Sequence, residues 1–191
     1  NQGIEMERAP DLLALFARQR EAFARDPFPP LATRLARLQR LRDLVQRHGD
    51  RIAQAISADF GHRSLHETAV AETFIVLAGI AHTRKHLKAW MKPRRVPTSF
   101  HSLPGVSRIQ PQPVGVVGIV SPWNYPLQLA LAPAAVALAA GNRVLVKPSE
   151  VTPTFSALLA ELVAQFFSPD DCAVVLGDAE VGKAFVSQPF G

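Results

Sequence analysis

The sequence predicts an α/β protein in which helices come first and a partial, doubly wound parallel sheet follows. Three observations carry this expectation. Apolar residues recur at helical spacing up to Pro97, short β-branched runs alternate with helical segments from Val114 onward, and the hydrophobic fraction of 48% is enough for a sizeable core.

The elements follow in order. Residues 9–25 place Leu12, Leu13, Leu15, Phe16 and Phe23 on one helical stripe, with Asp11 as the expected cap. Pro27, Pro29 and Pro30 break it. A second amphipathic helix is expected over 31–48, stopped by Gly49, and a short third over 50–59. Ser64 opens a longer helix to about Met91, ended by Pro93 and Pro97. Residues 98–113 suggest two short extended arms around Pro104-Gly105, and Pro111 and Pro113 suit only an edge strand.

Val114–Val120 is a nearly continuous apolar run of the kind buried on both faces of a parallel sheet. Leu127–Ala140 is helical and closed by Gly141. Asn142–Lys147 is a second strand, and Thr152 caps a helix running to about Phe167. Cys172–Leu176 is a third strand, and Ala179–Ser187 begins another helix. The order βαβαβα is half of a Rossmann-like doubly wound sheet.

Composition excludes several classes of function. The net charge is +5, and the basic excess lies in the first hundred residues. There Arg34, Arg37, Arg40, Arg42 and Arg47 alternate with Leu35, Leu38, Leu41, Leu44 and Val45, which reads as a solvated helix face rather than a nucleic-acid surface. The longest apolar run, Leu127–Ala140, is shorter than the ~18–20 residues of a bilayer span and contains Pro133. A single cysteine, Cys172, and no visible signal peptide point to a reducing, cytoplasmic setting.

The chemistry concentrates in two turns. The usual Gly-x-Gly-x-x-Gly fingerprint is absent. Ser121-Pro122-Trp123-Asn124-Tyr125-Pro126 stands in its place, at the carboxyl end of a strand, where open α/β sheets bind ligands. The Asn124 amide has two N–H donors and no ionisation, which suits a developing oxyanion; on residue type alone, an Asn here is more often a cap of the following helix. The second strand ends in Lys147-Pro148-Ser149-Glu150, where an ammonium and a carboxylate could bind ribose hydroxyls or form only a surface ion pair.

Together these turns carry a family resemblance. The run GVVGIVSPWNYPLQLALAPAAVALAAGNRVLVKPSE resembles the signature region of the aldehyde dehydrogenase superfamily, and GDAEVG (177–182) after the third strand also fits. The likeness covers essentially the whole chain. ADFGHRS (58–64) and the Trp90-Met91-Lys92-Pro93 region resemble the branch containing coniferyl aldehyde dehydrogenases and class-3-like enzymes.

The resemblance implies an aldehyde dehydrogenase-like fold. In it residues 1–97 are the helical part of the cofactor-binding domain, 98–113 an oligomerisation hairpin and 114–191 the first βαβαβα part of the NAD(P)-binding domain. It implies NAD(P)-dependent oxidation of an aldehyde through a cysteine thiohemiacetal, with NAD favoured by Glu150 and NADP tolerated by Lys147. Asn124 would be the oxyanion donor. Ser121, Pro122 and Trp123 would line the nicotinamide end of the cleft, and Lys147, Ser149 and Glu150 would bind the adenosine ribose. Gly177, Asp178 and Gly182 would approach the adenine side. Partners would be an aldehyde, aromatic in this branch, and a second copy of the enzyme, with neither nucleic acid nor membrane.

The nucleophilic cysteine and general-base glutamate of the family would lie beyond residue 191, and a fourth strand would begin at Pro189-Phe190-Gly191. On that reading the 191-residue chain alone oxidises no aldehyde. Cys172 is rejected as nucleophile, because it opens an apolar strand without a neighbouring base. The pairs His62/His66 and His82/His86 have metal-ligand spacing but no companion ligand, so no metal is expected; Phe60, Phe74, Phe166, Phe167 and Trp90 read as packing residues. Two alternatives stay open: a non-catalytic nucleotide-binding module, and a relative acting on aliphatic or semialdehyde substrates.

Overall fold

A computed structural model describes residues 12–191. The expected cap Asp11 lies outside them. Helix α1 spans Leu12–Arg25 and α2 spans Leu31–Phe60. A third helical stretch comprises α3 (Leu65–Thr68), a π-helical segment (Ala69–Phe74) and α4 (Ile75–Trp90). A two-stranded antiparallel ribbon follows, β1 (Arg94–Arg95) with β2 (Arg108–Ile109). The α/β part is β3 (Val116–Val120), α5 (Pro126–Ala140), β4 (Arg143–Lys147), α6 (Pro153–Phe166), β5 (Cys172–Val174) and α7 (Ala179–Val186).

Strands β3, β4 and β5 form one parallel sheet with β4 in the centre. Alternation along these strands feeds two cores. Ile119, Val144, Val146, Cys172 and Val174 pack against α2, α4, α5 and α6. Val116, Leu145, Ala173 and Val175 pack on the other face with Leu15 and Phe16 of α1 and Phe185 of α7. Helices therefore cover both faces, the arrangement expected for a doubly wound sheet. The Gly191 N–H donates to the carbonyl of Val116, on the edge of β3 away from β4.

Several local expectations are corrected. Gly49 does not stop a helix, because α2 runs unbroken from Leu31 to Phe60. Burial of Leu44, Val45, Ile52 and Ile56 along one stripe outweighs the roughly 1 kcal/mol that a helical glycine costs. The stop is Gly61, left-handed at φ 62° and closing the last turn onto Ser57 and Ala58 carbonyls. Arg34 and Arg37 are buried rather than solvated. Arg34 donates to the carbonyls of Pro29, Ala139 and Ala140, satisfying the end of α5, and Arg37 pairs with Asp171 at 2.7 Å. Asp171 also binds Arg143. Burial lowers the pKa of both Arg34 and Arg143, against the pull of nearby carboxylates.

The first arm of the ribbon lies at Arg94–Arg95, ahead of Pro97 rather than after it. Phe74 and Trp90 are exposed at 66% and 49%, not packed in the core. His62 sits in a left-handed turn at φ 95°, so it shares no helix face with His66. His82 and His86 do stack on one face of α4, beside Trp90. Among the described residues no helix is long and apolar enough to cross a membrane.

Candidate functional site

Parallel strands bring their carboxyl ends to one edge of the sheet, and all three sequence-predicted turns emerge there. Val120 pairs with Lys147 at the last rung of β3 and β4, and the Ser121 N–H extends the ladder to the Lys147 carbonyl at 3.0 Å. The Pro-Trp-Asn turn and the Lys-Pro-Ser-Glu turn are thus neighbours. The Gly177-Asp178 turn completes the edge beyond β5.

Ser121 is buried, and its hydroxyl lies 3.4 Å from the carbonyls of Pro122 and Pro126. Pro122, Trp123, Asn124 and Tyr125 are exposed. The Trp123 ring leans on Phe60, 6.0 Å between centroids. Phe60, Trp123, Asn124 and Tyr125, with Arg63 and Glu67, line a cleft of about 410 Å³ at the sheet edge, which Ser121 and Pro122 do not border.

The helix-cap alternative for Asn124 does not hold. Tyr125 occupies the N-cap position of α5 without a side-chain bond, and among the described residues the Asn124 amide enters no hydrogen bond. The cap comes from Glu72, a fully buried residue of the π-helical segment. Its Oε2 accepts from the N–H groups of Leu127 at 2.7 Å and Gln128 at 3.1 Å. Burial raises the Glu72 pKa, opposed by these two hydrogen bonds and by Arg63.

Sequence reasoning missed Glu72. A signal was present, since Thr68, Glu72, Val76 and Ile80 recur every fourth residue and all are buried, so a carboxylate stands on an otherwise closed stripe. The same holds for α6. The expected cap Thr152 makes no side-chain bond to the helix; Asp59 of α2 does so instead, accepting from Thr154 at 3.0 Å and Phe155 at 2.8 Å. Helix α7 does use its own cap, and Asp178 Oδ1 accepts from Glu180 and Val181.

The Glu72 cap accompanies the missing glycine fingerprint. A dinucleotide pyrophosphate usually rests on the first helix N-terminus of such a sheet. Here the Glu72 carboxylate holds that end of α5, so the turn before it can carry bulky Trp123 and Asn124 instead of glycines.

Lys147 is buried, and its Nζ donates to Glu150 Oε2 at 2.7 Å. That hydrogen bond, with the charge behind it, holds the exposed Glu150 carboxyl below the usual range, so it is ionised at neutral pH. Ser149 Oγ accepts from the Val151 N–H, leaving the hydroxyl proton to donate. Ser149, Glu150, Ser156 and Gly177 border a hollow of about 210 Å³. Gly177 has φ 154°, and a Cβ there would come within 2.5 Å of Val181. A Cβ on Gly182 would lie 3.9 Å from Lys147 Cε. The Ser149 hydroxyl and the Glu150 carboxylate on a small hollow, the latter held by the buried Lys147 ammonium, form a donor and acceptor set that fits a vicinal diol. Cys172 is 2% exposed, and burial, with Asp171 adding to it, pushes its thiol up to about 12.

The chain as a whole is similar to known proteins. The model of the aldehyde dehydrogenase family matches residues 4–190. A probable coniferyl aldehyde dehydrogenase of Pseudomonas aeruginosa is 46% identical over 179 residues, covering 94% of this chain and 38% of that protein. Among solved structures, the substrate-bound state of Staphylococcus aureus AldH superposes with a TM-score of 0.88 at 29% identity, covering 94% of this chain and 39% of that one. An NAD-dependent benzaldehyde dehydrogenase from Corynebacterium glutamicum gives 0.79 at 27% identity, over 94% of this chain and 39% of its own. This chain therefore spans less than two fifths of the length of these relatives. With the family model matched across nearly every residue and the fold shared throughout, the chain belongs to the aldehyde dehydrogenase family.

Proposed function

We propose that this chain is the cofactor-binding portion of an NAD-dependent dehydrogenase that oxidises an aromatic aldehyde to its carboxylic acid. The carrying observation is the Asn124 amide, free of any cap role and presented at the carboxyl end of β3 beside an aromatic cleft. In that reading its N–H groups donate to the oxygen of the tetrahedral adduct as negative charge develops, an interaction stronger in the transition state than with the free aldehyde. Trp123, 52% exposed and backed by Phe60, offers a flat apolar wall for a ring. The 46% identity to a probable coniferyl aldehyde dehydrogenase supports the aromatic class.

The nicotinamide cofactor, when bound, accepts a hydride from the adduct carbon. This chain's residues hold its adenosine end: Glu150 and Ser149 toward the ribose hydroxyls, Lys147 as donor beneath them, and Gly177, Asp178 and Gly182 toward the base. The ionised Glu150 repels a 2′-phosphate, and Lys147, already paired with Glu150, offers it no free charge, so NAD is favoured over NADP. Ser121, Pro122 and Trp123 border the nicotinamide end. Cys172 is too buried and too weakly acidic to be the nucleophile, so the attacking thiolate comes from sequence outside this chain. The β1–β2 ribbon, with Phe100 81% and Leu103 59% exposed beside it, serves association with a second copy.

The test is aldehyde-dependent NADH formation by the full-length enzyme carrying this segment, with coniferyl and benzyl aldehydes beside aliphatic ones. Asn124→Ala is expected to lower kcat about 10²–10³-fold with NAD affinity retained. Turnover confined to aliphatic aldehydes, or unaffected by Asn124→Ala, overturns the reading.

A further inference from the structure

The turn that carries Asn124 is held from below by a residue with no assigned role. Arg63 follows the left-handed pair Gly61-His62 that ends α2, and its side chain is only 6% exposed although the surrounding loop is open. Its Nη1 donates to the main-chain carbonyl of Asn124 at 3.0 Å. The guanidinium is sandwiched between two rings, 5.0 Å from the Phe60 centroid and 4.9 Å from that of Tyr125. Behind it stands Glu72, whose Oε1 lies 3.3 Å from Arg63 Nη1, while Glu67 lies 3.5 Å from Nη2.

We infer that Arg63, backed by Glu72, is a positioning residue that fixes the Asn124 amide for oxyanion stabilisation.

The inference rests on the proposed reading of Asn124. Three features argue for it. First, a carbonyl anchored at Asn124 restrains the peptide plane between Asn124 and Tyr125, and with it the position of the Asn124 Cα from which the amide projects. A turn free to shift would carry the amide with it, and a donor displaced by ~1 Å can cost 10²-fold in rate. Second, one carboxylate serves both sides of the turn. Glu72 Oε2 clamps the Leu127 and Gln128 N–H groups that follow Asn124, and Oε1, without a hydrogen bond of its own, lies in ion-pair contact with the guanidinium that grips Asn124 itself. Third, the contact needs a planar cation. A guanidinium stacks on Phe60 and Tyr125 while directing an N–H in its own plane, which a lysine ammonium does not reproduce.

The decisive experiment is a double-mutant cycle between Arg63 and Asn124 in the full-length enzyme, read as kcat and the KM for each substrate. Arg63→Met is expected to lower kcat at least tenfold with the KM for NAD unchanged, and to add less than twofold once Asn124 is already alanine. Arg63→Lys is expected to fall between wild type and Arg63→Met, and it carries the cycle should Arg63→Met not fold. Equal losses in both Asn124 backgrounds would mean a general packing role and overturn the proposal; unchanged kcat in Arg63→Met would overturn it too. A structural readout runs alongside. Trp123 emission, assigned by difference against Trp123→Phe, is expected to become more accessible to acrylamide in Arg63→Lys and Arg63→Met. A wild-type enzyme that oxidises no aldehyde would sink the functional reading instead, while Trp123 quenching would still report whether Arg63 holds the turn.

Discussion

The Glu72 carboxylate accepts the Leu127 N–H at 2.7 Å and so closes the first turn of α5 from a position 55 residues upstream. Asp59 does the same for α6 at Phe155, 96 residues on. The helical lead-in therefore does more than cover one face of the sheet. It supplies the capping carboxylates that the α/β segment does not provide for α5 and α6, and it places both at the edge where the site forms.

The Glu72 cap has a testable energetic side. Replacing Glu72 by alanine removes the partner of two helix N–H groups in a buried place, a loss expected to cost about 1–3 kcal/mol in urea unfolding. The pH dependence has a defined sign. Burial raises the Glu72 pKa above its ordinary 4.5, so its contribution is fully present below that value and is lost as pH rises through the folded-state pKa. The advantage of wild type over Glu72→Gln is therefore expected to shrink between acid and neutral pH. An advantage that grows over this range would show that Arg63 and the helix end outweigh burial.

How much of this was legible in the sequence depends on the range of each interaction. The βαβαβα order could be read because β-branched runs such as VGVVGIV and amphipathic helices are local patterns. Asn124, Lys147 and Glu150 could be located because strand ends fall at one edge in any parallel sheet. The Arg63–Glu72–Asn124 contact could not, because it depends on how α3 and the π-helical segment pack on α5. Arg34 and Arg37 were misread for a related reason. Their spacing gave an amphipathic helix correctly, but a face that looks solvated in isolation becomes buried when the carbonyl end of α5 and Asp171 supply partners. Gly49 misled because helix-stop rules assume that nothing downstream rewards continuation.

Gly49 now offers a simple check on α2. It lies inside the helix, and a Cβ built on it meets nothing within 4 Å. Gly49→Ala is expected to stabilise the fold by about 0.5–1 kcal/mol, chiefly by restricting the unfolded chain. A drop in melting temperature would show that α2 is bent or opened at this point.

Cys172 is expected to behave as a packing residue. With the thiol buried and pushed up to about 12, alkylation in the folded protein should be slow at neutral pH and become fast only in denaturant. Cys172→Ala should leave cofactor affinity unchanged in the full-length enzyme. Rapid labelling of the native protein at Cys172, identified by peptide mapping, would contradict the burial of β5.

In the proposed function, cofactor choice turns on Glu150. Its carboxylate is exposed at the hollow proposed for the ribose, and Lys147 lowers its pKa further, so it should discriminate against a 2′-phosphate by charge. Glu150→Gln is expected to improve NADP affinity about tenfold, and NAD affinity should fall slightly as one hydroxyl acceptor weakens. Because the carboxylate faces solvent, the discrimination should also diminish at high salt, where the screening length shortens to a few ångströms. Measured by titration of both cofactors at low and high ionic strength, a preference for NAD that survives both the substitution and the salt would place the discriminating group elsewhere in the enzyme.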